Sequence, residues 1–243
     1  VEAPKGELRS QQMPPIRELS TIEPCSSTEL EDEKIVYKFP ENVAGWVKVE
    51  VKGKKGQQIK IKLNERLLEN GEVDMEKLSG HTYGDLFQTL KYTCSGKEPF
   101  ESWEPMFCYQ GFRFVQVEGI AKENILSIEA KRVATDFPRK GKFSCSSPLV
   151  NQIEEVSCRT FLNGYHSYPE DCPQREKAGW TEDAALSLQG ATYSYECLRA
   201  HEKWVRDLID AQDKSGQVPV IVPTPGWGRP FEADSDEIGR MGD

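Results

Sequence analysis

The stretch GWVKVEVKGKKGQQIKIKL, residues 45–63, decides how the first half of the chain folds. Val47, Val49 and Val51 alternate with charged residues, and Ile59, Ile61 and Leu63 alternate with lysines. A period of two sends successive side chains to opposite faces of a strand. Glycines at 53 and 56 separate the two runs, so the stretch predicts a β-hairpin with one buried face and a lysine-rich outer face. Lys52, Lys54 and Lys55 then form a solvated tip that also protects a sheet edge. Working outward, FQTLKYTC (87–94), GFRFVQVEG (111–119) and ILSIEAKRV (125–133) repeat the alternation. Strands joined by turns, with no helix between most of them, predict an antiparallel sandwich. Trp46 and Trp103 fall in strand patterns and are expected in its core.

The period changes near Phe137. Asp136–Gly141 reads as a linker, and Ser147-Pro148 supplies an N-cap followed by a proline at the first helical position. Leu149, Ile153, Val156 and Thr160 follow at helical spacing. A second helix is predicted through DAALSLQGATYSY (183–195). A third runs through HEKWVRDLIDAQ (201–212), with Trp204, Val205, Leu208 and Ile209 on one side and Gly216 as its end. The expected order is a linker or remnant of a preceding domain (1–15), a β-sandwich (16–136) and an all-α part (137–243).

Composition narrows the function. The 243 residues carry 31 Lys and Arg against 40 Asp and Glu, a net charge of −9. An acidic chain does not suit nucleic acid or an anionic membrane surface, where basic patches supply affinity. No run of 18 apolar residues suggests a membrane span. Seven scattered cysteines without a CxxC pair argue against a metal knuckle and a dense disulfide framework, and lean towards a reducing compartment or buried thiols. His81, His166 and His201 lie in separate elements, which implies no metal cluster. His166 reads as a hydrogen-bonded structural residue, and Cys172, beside a proline and without a histidine partner, as packing.

The densest chemistry lies in YPEDCPQREKAGWTEDAA, residues 168–185. A helix beginning near Pro173 would put Glu176, Trp180 and Asp183 on one face, with Asp171 near the N-cap and Arg175 one turn in. Gly179 weakens such a helix by about 1 kcal/mol, so part of the segment can be loop. A carboxylic acid can protonate a leaving-group oxygen, further carboxylates and an arginine can grip hydroxyls, and an indole can stack on a sugar ring. On spacing alone a solvated acidic helix face with a structural tryptophan is the plainer reading.

DCPQREKAGWTEDA (171–184) closely resembles the signature of the bacterial α-L-rhamnosidases of glycoside hydrolase family 78. MPPIRELSTIEP (13–24), residues 39–65 and FCYQGFRFVQVEG (107–119) resemble segments of that family's central sandwich. FSCSSPLVNQI (143–153) resembles the opening of its (α/α)6 barrel, and GQVPVIVPTPGWG (216–228) a loop further in. The resemblance implies an antiparallel β-sandwich followed by the first helices of an (α/α)6 barrel, in a chain that reads as part of a longer protein.

Residue by residue, the resemblance places Glu176 as the general acid. Asp171, Arg175, Trp180 and Asp183 fall where the family holds rhamnose, and Trp227 where a further aromatic wall can stand. Glu182 replaces a common glycine and receives no role. The reaction implied is inverting hydrolysis of a terminal α-L-rhamnoside, with no metal or organic cofactor and with a general base outside these residues. Residues 1–243 alone are then expected to be inactive. The implied partners are rhamnose-containing oligosaccharides, polysaccharides or glycosides, with self-association through exposed barrel helices. The family points to a bacterial periplasm or cytoplasm. The competing expectation is a non-catalytic carbohydrate-binding or structural sandwich with a helical appendage.

Overall fold

The computed structural model describes residue 8 and residues 10–75 and 87–224. Trp227 and His81 lie outside the described residues. Eight strands come first: β1 Ile16–Ile22, β2 Ser26–Leu30, β3 Lys34–Val51, β4 Gln58–Asn64, β5 Thr89–Thr93, β6 Glu101–Trp103, β7 Gln110–Glu118 and β8 Ile125–Thr135. Among the described residues three helices follow: α1 Pro148–Asn163, α2 Thr181–Ser194 and α3 Leu198–Asp210. Every strand pairing is antiparallel, in the order β1-β8-β3-β7-β4-β5, with β2 and β6 also on β3.

The long β3 explains how one hydrogen-bonded sheet makes a sandwich. Its start, Ile35–Lys38, pairs with β2 on one side and β7 on the other. The register shifts between Lys38 and Val43, around Pro40. Its end, Gly45–Val51, pairs with β8, and Val49–Val51 also with β6. Proline cannot donate to a ladder, so the strand breaks register there and the sheet curls. Side chains from both halves meet in one core, where Phe39 and Phe112 are fully buried and stand edge to face at 5.8 Å. Each such residue contributes about 1.5–3 kcal/mol by leaving water.

The alternation in residues 45–63 names the buried face correctly. Val47, Val49, Val51, Ile59, Ile61 and Leu63 are all 2% exposed or less. The expected hairpin does not form, because β7 lies between β3 and β4 and hydrogen-bonds to both. A period of two fixes which face is apolar but carries no information on which strand lies alongside. Trp46 and Trp103 are half-buried rather than core. Trp46 Nε1 donates to Glu104 Oε2 at 2.8 Å, and Trp103 stacks on Tyr92 at 4.9 Å.

Ser147 is the N-cap residue of α1 and Pro148 follows it, as expected, although the Ser147 hydroxyl makes no capping hydrogen bond. The apolar stripe of α1 lies on its open side, as expected of helices that leave an apolar face exposed. Leu149, Ile153 and Val156 are exposed, while Cys158 and Asn163 are buried. In α3, Trp204 is buried with Ala200 and His201, but Val205 and Ile209 are exposed. The helix ends at Asp210, and Gly216 belongs to the turn beyond. In α3 the single stripe read from spacing merges two sides, one buried at Trp204 and one exposed at Val205 and Ile209.

The helical part is bonded to the sandwich. Ala44 N–H donates to Asn163 Oδ1 and Asn163 Nδ2 donates to Asn42 O, at 3.3 and 3.1 Å. Thr135 N–H donates to Tyr165 O at 3.0 Å. Glu41 accepts ion pairs from both Arg132 of β8 and Arg159 of α1. Behind them Phe137, Phe161, Tyr165 and Tyr195 form an aromatic cluster.

Candidate functional site

Residues 168–180 are a loop, and the helix expected from Pro173 does not form: residues 173–176 make a turn, and α2 begins at Thr181. The local physics explains this. The Asp171 carboxylate accepts the Ala178 N–H on Oδ1 at 2.9 Å and the Cys172 S–H on Oδ2 at 2.7 Å. Backbone bonds run from Asp171 N to Ala178 O and from Lys177 N to Cys172 O. An aspartate that hydrogen-bonds nearby backbone competes with helix formation. Gly179 then passes close to residues 220–222. A Cβ there would stand 2.0 Å from Val222 O, so only glycine allows Val222 N to reach Gly179 O at 2.8 Å.

The loop divides the five expected residues. Trp180 Nε1 donates to Glu176 Oε2 at 2.9 Å, so the acid and the indole form one unit. Asp171 and Asp183 line a cavity of about 1070 Å³ between α1, α2 and the loop, which Glu176, Trp180 and Arg175 do not line. Asp171 is half-buried and Asp183 exposed. Arg175 is exposed and its charge acts on Glu65, at the end of β4.

A buried network stands behind the loop. Lys177, at φ 50°, reaches back to the sandwich, where Nζ donates to Tyr109 O at 2.5 Å and lies 4.0 Å from the Tyr109 ring centre. Burial pulls the Lys177 ammonium below its usual range. Tyr109 stacks on His166 at 3.9 Å and donates its hydroxyl to Glu170 Oε1 at 2.7 Å. Burial, followed by the Glu170 charge, pushes the phenol upward, so it remains a donor. His166 Nε2 faces Val133 O at 2.7 Å and Nδ1 faces Glu170 Oε2 at 3.2 Å. Since a carbonyl can only accept, Nε2 carries a proton. His166 is thus the structural residue expected. Cys172 is buried as expected but also braces Asp171, and its Sγ accepts the Glu176 N–H at 3.3 Å. Among the described residues, no group of three His, Cys, Asp or Glu could hold a metal ion. All seven cysteines are free thiols, four of them buried.

A curled sandwich leads into helices, with an acid-and-indole loop at their junction, an arrangement consistent with the start of a six-hairpin glycosidase domain. Residues 28–134 match the bacterial α-L-rhamnosidase concanavalin-like domain, and residues 138–236 the bacterial α-L-rhamnosidase 6 hairpin glycosidase domain. The chain belongs to the bacterial α-L-rhamnosidase family. An α-L-rhamnosidase of Formosa agariphila is 37% identical over 202 residues, covering 83% of this chain and 21% of that protein. The structure of α-L-rhamnosidase from Dictyoglumus thermophilum superposes with a TM-score of 0.86 at 34% identity, covering 94% of this chain and 25% of that one. The Streptomyces avermitilis α-L-rhamnosidase complexed with L-rhamnose gives 0.82 at 27% identity, over 88% and 20%. The chain therefore spans about a fifth to a quarter of the length of these relatives.

Proposed function

We propose that this chain supplies the acid-bearing part of an enzyme that removes terminal α-L-rhamnose by inversion. The observation that carries the reading is the Trp180–Glu176 hydrogen bond, inside the segment that resembles the family's signature. The indole N–H can only donate, so Glu176 Oε2 stays an acceptor and a proton on the acid belongs to Oε1. Oε1 then faces the glycosidic oxygen and protonates it as the C–O bond breaks. Trp180 fixes the carboxyl plane, and its ring offers an apolar surface to the sugar.

Asp171 and Asp183 bind sugar hydroxyls. Asp171 already accepts two hydrogen bonds, but two carboxylate oxygens have about four acceptor sites, so it can accept another. Arg175 binds hydroxyls from the exposed side. Water attacks from the opposite face, activated by a carboxylate outside residues 1–243, across the roughly 6.5–9.5 Å gap of an inverting pair. We place the sandwich at residues 16–136 and the barrel's first helices in residues 137–243.

The test is to incubate the full-length protein with a panel of aryl glycosides and follow the released sugar by NMR. Hydrolysis of the α-L-rhamnoside with a β-configured first product supports the reading. Release of the α-anomer removes inversion, and no preference for the rhamnoside removes the substrate class.

A further inference from the structure

We infer that Glu65, on the sandwich side of the cavity, is a sugar-binding residue that grips a pair of ring hydroxyls alongside Asp171. The inference rests on the proposed rhamnoside-hydrolysing function and extends its site to the other domain. Glu65 immediately follows β4, and Asn64 sets its direction by accepting the Glu65 N–H on Oδ1 at 2.6 Å. Asn64 is itself buried and bonded to Asp74 O. Glu65 lines the same cavity as Asp171 and Asp183. Among the described residues its one side-chain partner is distant, Gln174 Nε2 at 3.5 Å, and it forms no salt bridge within 4 Å.

Such a carboxylate is expensive. A partly buried charge without close donors lowers stability, and structural carboxylates normally gain a cation or several N–H groups. Burial pushes the Glu65 carboxyl above its ordinary range, with the Arg175 guanidinium opposing. Gln174 shares the strain, since its Oε1 is buried without a hydrogen bond. The turn that carries Gln174 packs tightly on the sandwich. It lies directly on Gly111 of β7, where a Cβ would come within 2.9 Å of Gln174 Cβ and 3.0 Å of Pro173 Cγ. The structure thus holds an acceptor with free lone pairs and a second buried acceptor at the seam of sandwich and loop. Neutral vicinal hydroxyls complement both, because each donates one hydrogen bond and brings no charge to bury. A hydrogen bond to a charged group at this depth corresponds to about ten- to a hundredfold in affinity.

The experiment compares wild type with Glu65→Gln in the full-length protein, measuring Kd for L-rhamnose, KM and kcat on an aryl α-L-rhamnoside, and urea stability at pH 7. The expected result is a Kd and KM raised at least tenfold, a smaller fall in kcat, and stability equal to or above wild type. Glu65→Ala should weaken binding at least as much. Unchanged binding in Glu65→Gln, with wild-type activity intact, would overturn this inference and leave the function standing. Weaker binding together with lower stability would also overturn it, since that is the mark of a structural carboxylate. A wild-type protein that neither binds rhamnose nor hydrolyses the rhamnoside overturns the function and this inference together.

Discussion

Replacing Asp171 tests whether the loop is built as described, before any sugar is considered. Its Oδ1 holds the buried Ala178 N–H and its Oδ2 the Cys172 S–H. In Asp171→Asn the amide oxygen can keep the Ala178 bond, and the amide nitrogen can donate to Cys172 sulfur, a weak acceptor. Only the charge assistance is lost, about 1 kcal/mol. In Asp171→Ala both acceptors vanish and Ala178, 4% exposed, keeps an unsatisfied donor. That costs about 2–3 kcal/mol. Local opening exposes the same amide, so hydrogen exchange at Ala178 reads the difference directly. At about 1.4 kcal/mol per decade, exchange should accelerate roughly thirty- to a hundredfold in the alanine variant and no more than about tenfold in the asparagine variant. Far amides such as Ile61 in the sandwich should be unaffected. Equal acceleration in both variants, or none in either, would refute the account of the loop.

Two further outcomes follow from exposure and charge. Leu149, Ile153, Val156, Leu186, Val205 and Ile209 leave an apolar surface on the helices, so residues 1–243 alone should self-associate at high concentration and show no rhamnosidase turnover. Sedimentation together with an aryl rhamnoside assay checks this, and a strictly monomeric or active product contradicts it. For Glu65 the folded carboxyl titrates above its unfolded value, so the native state binds the extra proton between the two. Wild-type stability should fall as pH rises through that window, a slope that Glu65→Gln removes; urea titrations across the carboxylate range check the sign.

What the sequence made legible depended on the kind of information each feature carries. Alternation marks Val47, Val49 and Ile61 as core because burial follows a side chain's face, a local property. It could not reveal that β7 separates β3 from β4, because strand order is set by contacts remote in sequence. Likewise, the Ser147-Pro148 signal placed the start of α1, yet Leu149 and Ile153 are exposed, since helical spacing does not say which side meets this part of the chain. In the loop, the residue types of 171–184 are visible in the sequence, but their geometry turns on Asp171 bonding to Ala178 and on Gly179 lying against Val222. Glu65 gave no local signal at all: it is one charged residue at a strand end, and only the fold carries it to the cavity. Lys177 lies inside residues 168–185 but carries no signal in the sequence, because a lysine there has no distinctive chemistry until Tyr109 is placed beneath it.

The central claim is that Glu176 donates the proton to the departing oxygen. In the full-length protein, kcat for Glu176→Gln and wild type should be measured on α-L-rhamnosides with a poor alkyl leaving group and with an activated aryl leaving group. General-acid catalysis contributes typically 10²–10⁴-fold, and it matters most where the leaving group needs protonation. The account predicts a loss of that size on the alkyl substrate and a much smaller loss on the aryl one, whereas Asp171→Asn lowers both alike. Equal losses for Glu176→Gln on the two substrates would remove the general-acid role from Glu176 and return the assignment to the other carboxylates of the loop.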